Sequence, residues 1–181
     1  MKIFKTPLDS CIVLSPTLFS DDRGSFYESY KKGVFEEALG YEVNFVQDNE
    51  SFSSKGVLRG LHFQKGENAQ AKLVRVIQGA VLDVAVDLRE ESSTYGQHFS
   101  IELSSDNKKQ LFIPRGFAHG FVVLSDTAIF SYKCDNYYHK ESESGIIYND
   151  PILNIDWKLP NGHLQLSKKD LELPHFKSLA L

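Results

Sequence analysis

The stretch "KLVRVIQGAVLDVAVDL" (Lys72–Leu88) decides the fold class. Gly79 divides it into two apolar runs, "KLVRVIQ" (72–78) and "AVLDVAVDL" (80–88). In the second, Leu82, Val84, Val86 and Leu88 alternate with Asp83, Ala85 and Asp87. A period of two sends successive side chains to opposite faces of a strand, so this run reads as a half-buried strand. The same grammar continues outward. "QHFSIEL" (97–103) is followed by the turn "SSDN" (104–107), then by "KQLFIP" (109–114), "HGFVVLS" (119–125) and "TAIFSYKC" (127–134). Strands of this length at this spacing predict an all-β sandwich or barrel. Helix signals are few. "KKGVFEEALG" (31–40) predicts one short helix ending at Gly40. "LSKKDLEL" (166–173) predicts another, with Ser167 as N-cap and Asp170 at the third helical position.

Without repeats, low-complexity tracts or a break in composition, the 181 residues read as one domain, 1–181. The net charge of −4 argues against a nucleic-acid binder driven by phosphate contacts, while leaving room for an anionic small ligand held by local Arg and Lys. Cys11 and Cys134 allow one disulfide at most, and a chain of this size does not need it, so a reducing cytoplasm is expected. The N-terminal "MKIFKTPLDSCIVLSP" has no apolar block long enough for a signal peptide or a membrane span.

One segment is unusually polar for a strand. In "QDNESFS" (47–53), Gln47, Asn49, Ser51 and Ser53 share a face. Such a face either lines a ligand cavity or belongs to a solvated edge strand.

The chemistry centres on "VLRGLHFQ" (57–64), where Arg59, His62 and Gln64 interleave with Leu58, Leu61 and Phe63. The six histidines are 62, 98, 119, 139, 163 and 175, and no two lie within four residues. Where a second metal ligand might follow His62 by two, the residue is Gln64, so no metal is expected. Gly-x-Ser-x-Gly, Rossmann and P-loop patterns are absent from the sequence. Acid–base chemistry remains. His62 is the leading base, because imidazole titrates near neutral pH. Arg59 suits a phosphate, Lys72 opens the next strand, and "IPRGFAHG" (113–120) supplies His119. Tyr132 in "FSYKC" is either an acid facing a cavity or a core tyrosine bonded to backbone.

These motifs resemble those of the dTDP-4-dehydrorhamnose 3,5-epimerases, nucleotide-sugar epimerases of the rhamnose pathway. The resemblance runs in order through "FSDDRGSFYES" (19–29), "QDNESFSSKGVLRGLHFQ" (47–64), "DLREESSTYG" (87–96), "IPRGFAHGF" (113–121), "YKCDNYY" (132–138) and "LQLSKKD" (164–170). It implies a double-stranded β-helix, a cupin-like jelly roll with a few short helices. It also implies no cofactor, a homodimer, and a dTDP-linked 4-keto-6-deoxyhexose inverted at C3 and C5. By resemblance His62 is the base, Asp170 orients it, Tyr132 is the proton donor on the other sugar face, and Lys72 lies near the keto oxygen. Arg23, Glu28, Gln47, Asn49, Arg59 and His119 are similar to nucleotide and sugar contacts of the family. Tyr138 is similar to its thymine-stacking aromatic, and Glu143 and Lys169 to further contacts. A C3-only or C5-only epimerase, or a 3,4-ketoisomerase-like relative, would use related equipment.

Overall fold

The structure, a computed structural model, describes residues 1–179. Ala180 and Leu181, counted in the expected domain, lie outside the described residues. Among the described residues thirteen strands form in chain order: β1 (Lys2–Lys5), β2 (Ile12–Ser15), β3 (Phe19–Asp21), β4 (Gly24–Phe26), β5 (Gln47–Ser54), β6 (Leu58–Gln64), β7 (Lys72–Gln78), β8 (Ala80–Asp87), β9 (His98–Ser104), β10 (Gln110–Ile113), β11 (Phe117–Val123), β12 (Thr127–Cys134) and β13 (Glu143–Gly145). Two helices join them, α1 (Lys32–Leu39) and α2 (Lys168–Leu171).

One sheet has the order β1-β2-β10-β7-β12-β5, the other β13-β6-β11-β8-β9, and β3–β4 is a separate hairpin. Strand neighbours pair antiparallel throughout the two sheets. This is the expected jelly-roll sandwich.

Three apolar layers hold it. Between the sheets lie Val74, Val76, Val81, Leu103, Leu111, Phe121 and Phe130. Outside the second sheet, Leu82, Val84, Val86 and Leu88 pack beneath the C-terminal segment with Ile146, Leu153 and Trp157. Outside the first sheet, α1 buries Phe35 against Phe112, the rings meeting edge-on with centroids 5.1 Å apart. Truncating Phe35 to Ala would cost roughly 3–5 kcal/mol. Gly40 ends α1 at φ 79°, a left-handed turn that glycine adopts without strain, and its N–H bonds the Glu36 carbonyl at 2.8 Å.

The second layer corrects one expectation. The alternation in β8 suggested a half-buried strand, yet β8 is buried on both faces. Its apolar set points away from the sandwich, into the C-terminal cover, while Asp83 and Asp87, both 0% exposed, share the inward face with Val81 and Ala85. A strand with a second layer on its back cannot spare either face for water.

Candidate active site

The inner face of the sandwich changes character along its length. Toward one end it is aliphatic. At the other, a cavity of about 300 Å³ is lined by Arg59, His62, Lys72, His119, Tyr132 and Asp170 among others. Lys72 and Tyr132 arrive by strand alternation. Lys72 precedes Val74 and Val76 on the inner face of β7, and Tyr132 follows Phe130 on that of β12. Asn49 stands opposite Tyr132 across the β5–β12 ladder, and Ser51 opposite Phe130. β5 is the edge strand of its sheet, and its polar face turns inward toward the cavity, which Ser51 lines.

Arg59 and His62 are three residues apart, so strict alternation would put them on opposite faces. An irregularity in β6 brings them together. His119 of β11 pairs with His62 and Phe121 with Arg59, so two residues on β11 span three on β6. That extra residue is a β-bulge, which re-aims a side chain. Gly60 sits within it at φ 133°, and a Cβ there would lie 2.5 Å from the Gly120 Cα, so the two strands require glycine at their point of contact.

Asp170 reaches the cavity from α2. Ser167 caps this helix, accepting the Asp170 N–H at 3.1 Å, as the sequence predicts. The Asp170 carboxylate then accepts from His62 Nε2 at 2.6 Å, with Asp170 6% and His62 28% exposed. A second pair lies beside the first: His119 Nε2 is 2.9 Å from Asp83 Oδ2, and both side chains are buried. Lys72 Nζ lies 5.9 Å from the Tyr132 ring centroid. Burial lowers the Lys72 pKa and raises that of Tyr132, each toward its neutral form. Arg59 donates to Ser53 Oγ from Nε at 3.2 Å and Nη2 at 3.1 Å.

The rim carries another predicted group. Lys169 lines the cavity and contacts Glu143 Oε2 at 2.5 Å, and Tyr138 donates its hydroxyl to the same oxygen at 2.7 Å. Burial would raise the Glu143 pKa, but these two bonds outweigh it and the net shift is downward. Gln47 donates to Asn49 Oδ1 at 2.9 Å and accepts the Tyr138 N–H at 3.1 Å.

Two predicted contacts are not brought to this cavity. Arg23 pairs with Asp21 at the tip of the β3–β4 hairpin, with its side chain 90% exposed, and Glu28 lies 3.5 Å from Lys31. Neither lines the cavity within its own chain. Conversely, sequence reasoning missed Asp83, which looked solvent-facing, and Ser53 as the partner of Arg59. It considered Gln64 only as a residue that is not a metal ligand.

A jelly roll whose polar end gathers imidazole, ammonium and phenol groups into one cavity is a cupin-like enzyme architecture. The family to which the chain belongs is that of dTDP-4-dehydrorhamnose 3,5-epimerase, whose sequence model matches residues 5–178. The protein of that name from Escherichia coli is 57% identical over 173 residues, covering 96% of this chain and 93% of its own. The crystal structure of the dTDP-4-dehydrorhamnose 3,5-epimerase from Elizabethkingia anophelis is 59% identical. It superposes with a TM-score of 0.95 over 98% of this chain and 97% of that one. The Legionella pneumophila dTDP-6-deoxy-D-glucose-3,5-epimerase, solved in complex with dTDP-4-keto-L-rhamnose, is 50% identical with a TM-score of 0.94 over 98% and 94% of the two chains.

Proposed function

We propose that this protein inverts C3 and C5 of dTDP-4-dehydro-6-deoxy-D-glucose to give dTDP-4-dehydro-L-rhamnose, in dTDP-rhamnose biosynthesis. The observation that carries the reading is the placement of His62 and Tyr132. They line one cavity from opposite sheets, His62 from β6 and Tyr132 from β12. Inversion requires a proton to leave one face of the ring and return to the other, so a base and an acid must flank it.

The C4 carbonyl makes the protons on C3 and C5 acidic, because each carbanion is an enolate. His62 donates Nε2–H to Asp170, which leaves Nδ1 to take the proton. Asp170 fixes that tautomer and stabilises the imidazolium that forms. Lys72 provides positive charge or a hydrogen bond for the enolate oxygen. Tyr132 returns a proton from the other sheet, and burial favours the protonated phenol that this role needs. Arg59, with Lys169 near the rim, attracts the diphosphate, and His119 and Asn49 contact the sugar. Tyr138, 55% exposed at the rim, offers its ring to the thymine. The net change is stereochemical and uses no redox cofactor.

A homodimer in the cytoplasm is part of this proposal. The β3–β4 hairpin stands outside both sheets with Phe19 and Phe26 62% and 68% exposed, and it carries Arg23 away from its own cavity. A second copy would cover these rings and receive Arg23. Sedimentation at micromolar concentration should give a dimer, and a monomer would overturn this part. Two buried, unpaired cysteines fit a reducing compartment, and no helix among the described residues is long and apolar enough to cross a membrane.

Proton NMR of dTDP-4-dehydro-6-deoxy-D-glucose with the enzyme in D₂O tests the activity. Deuterium should enter at both C3 and C5 with inversion at each. Deuterium at one carbon alone would replace this reading with a single-centre epimerase.

A further inference from the structure

Gln64 stands two residues beyond His62 on the inner face of β6, 7% exposed, and the chemistry above gives it no task. Its side chain is nevertheless fully engaged. Oε1 accepts the His139 N–H at 2.5 Å, and Nε2 donates to the Tyr137 carbonyl at 3.1 Å and the Asn68 carbonyl at 2.7 Å. The first two bonds grip the backbone on either side of Tyr138. From the opposite sheet, Gln47 Oε1 accepts the Tyr138 N–H at 3.1 Å. Glu143, the cross-strand neighbour of Gln64 in the β13–β6 pair, holds the Tyr138 hydroxyl.

We propose that Gln64 is a positioning residue for nucleotide binding: with Gln47 it clamps residues 137–139 between the two sheets and so fixes the Tyr138 ring. The proposal rests on the reading of Tyr138 as the thymine platform. An exposed aromatic in an irregular segment would ordinarily sample several orientations, and a ligand that stacks on it would have to order it on binding. Three backbone groups in sequence, held by two glutamine side chains from different sheets, remove that freedom beforehand. Glutamine suits the task because its amide donates and accepts together, as a carbonyl and an N–H flanking one residue require. The clamp also ties the platform to the strand that carries His62. The distance between nucleobase and base is thus set through one element.

The test is dTDP affinity by titration calorimetry, alongside turnover at saturating substrate, in a double-mutant cycle on the full chain. Tyr138→Ala should weaken dTDP binding about tenfold or more. Gln64→Leu should weaken it by a comparable factor and raise KM, while kcat stays within about threefold. In the Tyr138→Ala background, Gln64→Leu should add less than about twofold, because its effect passes through the ring. Gln64→Glu, which keeps size and one acceptor, serves if Gln64→Leu does not fold. It should also weaken dTDP, since a carboxylate would face two carbonyls. Normal affinity in a folded Gln64 variant, or equal Gln64 effects with and without the Tyr138 ring, would overturn the clamp while leaving the platform standing. Normal affinity in Tyr138→Ala would overturn the platform reading and the clamp with it.

Discussion

Asp83 and Asp87 lie on the same face of β8, both 0% exposed, in opposite surroundings. Asp87 is saturated. Oδ1 accepts from the Arg89 N–H at 3.0 Å and Nε at 2.9 Å, and Oδ2 accepts from Arg89 Nη2, Ser92 Oγ and Thr94 Oγ1 at 2.7, 2.6 and 2.7 Å. Asp83 has one partner among the described residues, His119, and its Oδ1 is buried without any. A buried carboxylate with every lone pair occupied secures a fold. A buried carboxylate left half-satisfied costs stability and signals another task. The saturated one closes the loop beyond β8, and the unsaturated one backs a histidine of the cavity.

The largest expected effect concerns His62, the base of the proposed mechanism. His62→Asn should lower deuterium exchange at both C3 and C5 by about 10²–10⁴-fold while dTDP still binds. Exchange at either carbon near the wild-type rate would assign that carbon to another base. The two aspartates should then separate. Asp87→Asn should destabilise the fold by roughly 2–4 kcal/mol, read from denaturant midpoints, with normal activity per folded molecule. Burial would raise the Asp87 pKa, but the Arg89, Ser92 and Thr94 bonds outweigh it and hold it at about 2, below its ordinary 3.8. A depressed carboxylate contributes stability that is fully present above its unfolded pKa. That contribution is lost as pH falls through the folded value, here between about pH 4 and 2. Asp87→Asn should flatten this part of the acid-unfolding profile. Asp83→Asn should show the reverse pattern, a stability change within about 1 kcal/mol and activity lowered about tenfold. Equal stability losses in the two variants would erase the distinction.

The sequence reveals β5 and the series β7 to β12, α1 with its Gly40 stop, and the Ser167 cap that delivers Asp170, because each rests on local chemistry, whereas the short strands β1 to β4 and β13 carry no such signal. The polar face of β5 is legible as a pattern, though only pairing with β12 turns it toward the cavity. Asp83 is illegible, because an acidic residue in an alternating strand looks the same whether its face meets water or a second sheet. The shared face of Arg59 and His62 depends on a bulge set by the partner strand β11, which the spacing in "LRGLH" does not report. Arg23 and Glu28 stand in a stretch that resembles the family motif yet do not line the cavity of their own chain, because a sequence motif does not report where its hairpin is carried by the fold.

The central claim is that the polar end of the sandwich acts on a sugar from both sides. The most direct measurement is the ratio of exchange to inversion by proton NMR in D₂O, for wild type and Tyr132→Phe. The substitution keeps the ring and its packing and removes only the hydroxyl on the β12 side. His62 would still abstract, and the enolate would be reprotonated from the side it came from. The account predicts deuterium wash-in with inversion greatly reduced, so the ratio rises. An unchanged ratio at an unchanged rate would contradict it and remove Tyr132 from the mechanism.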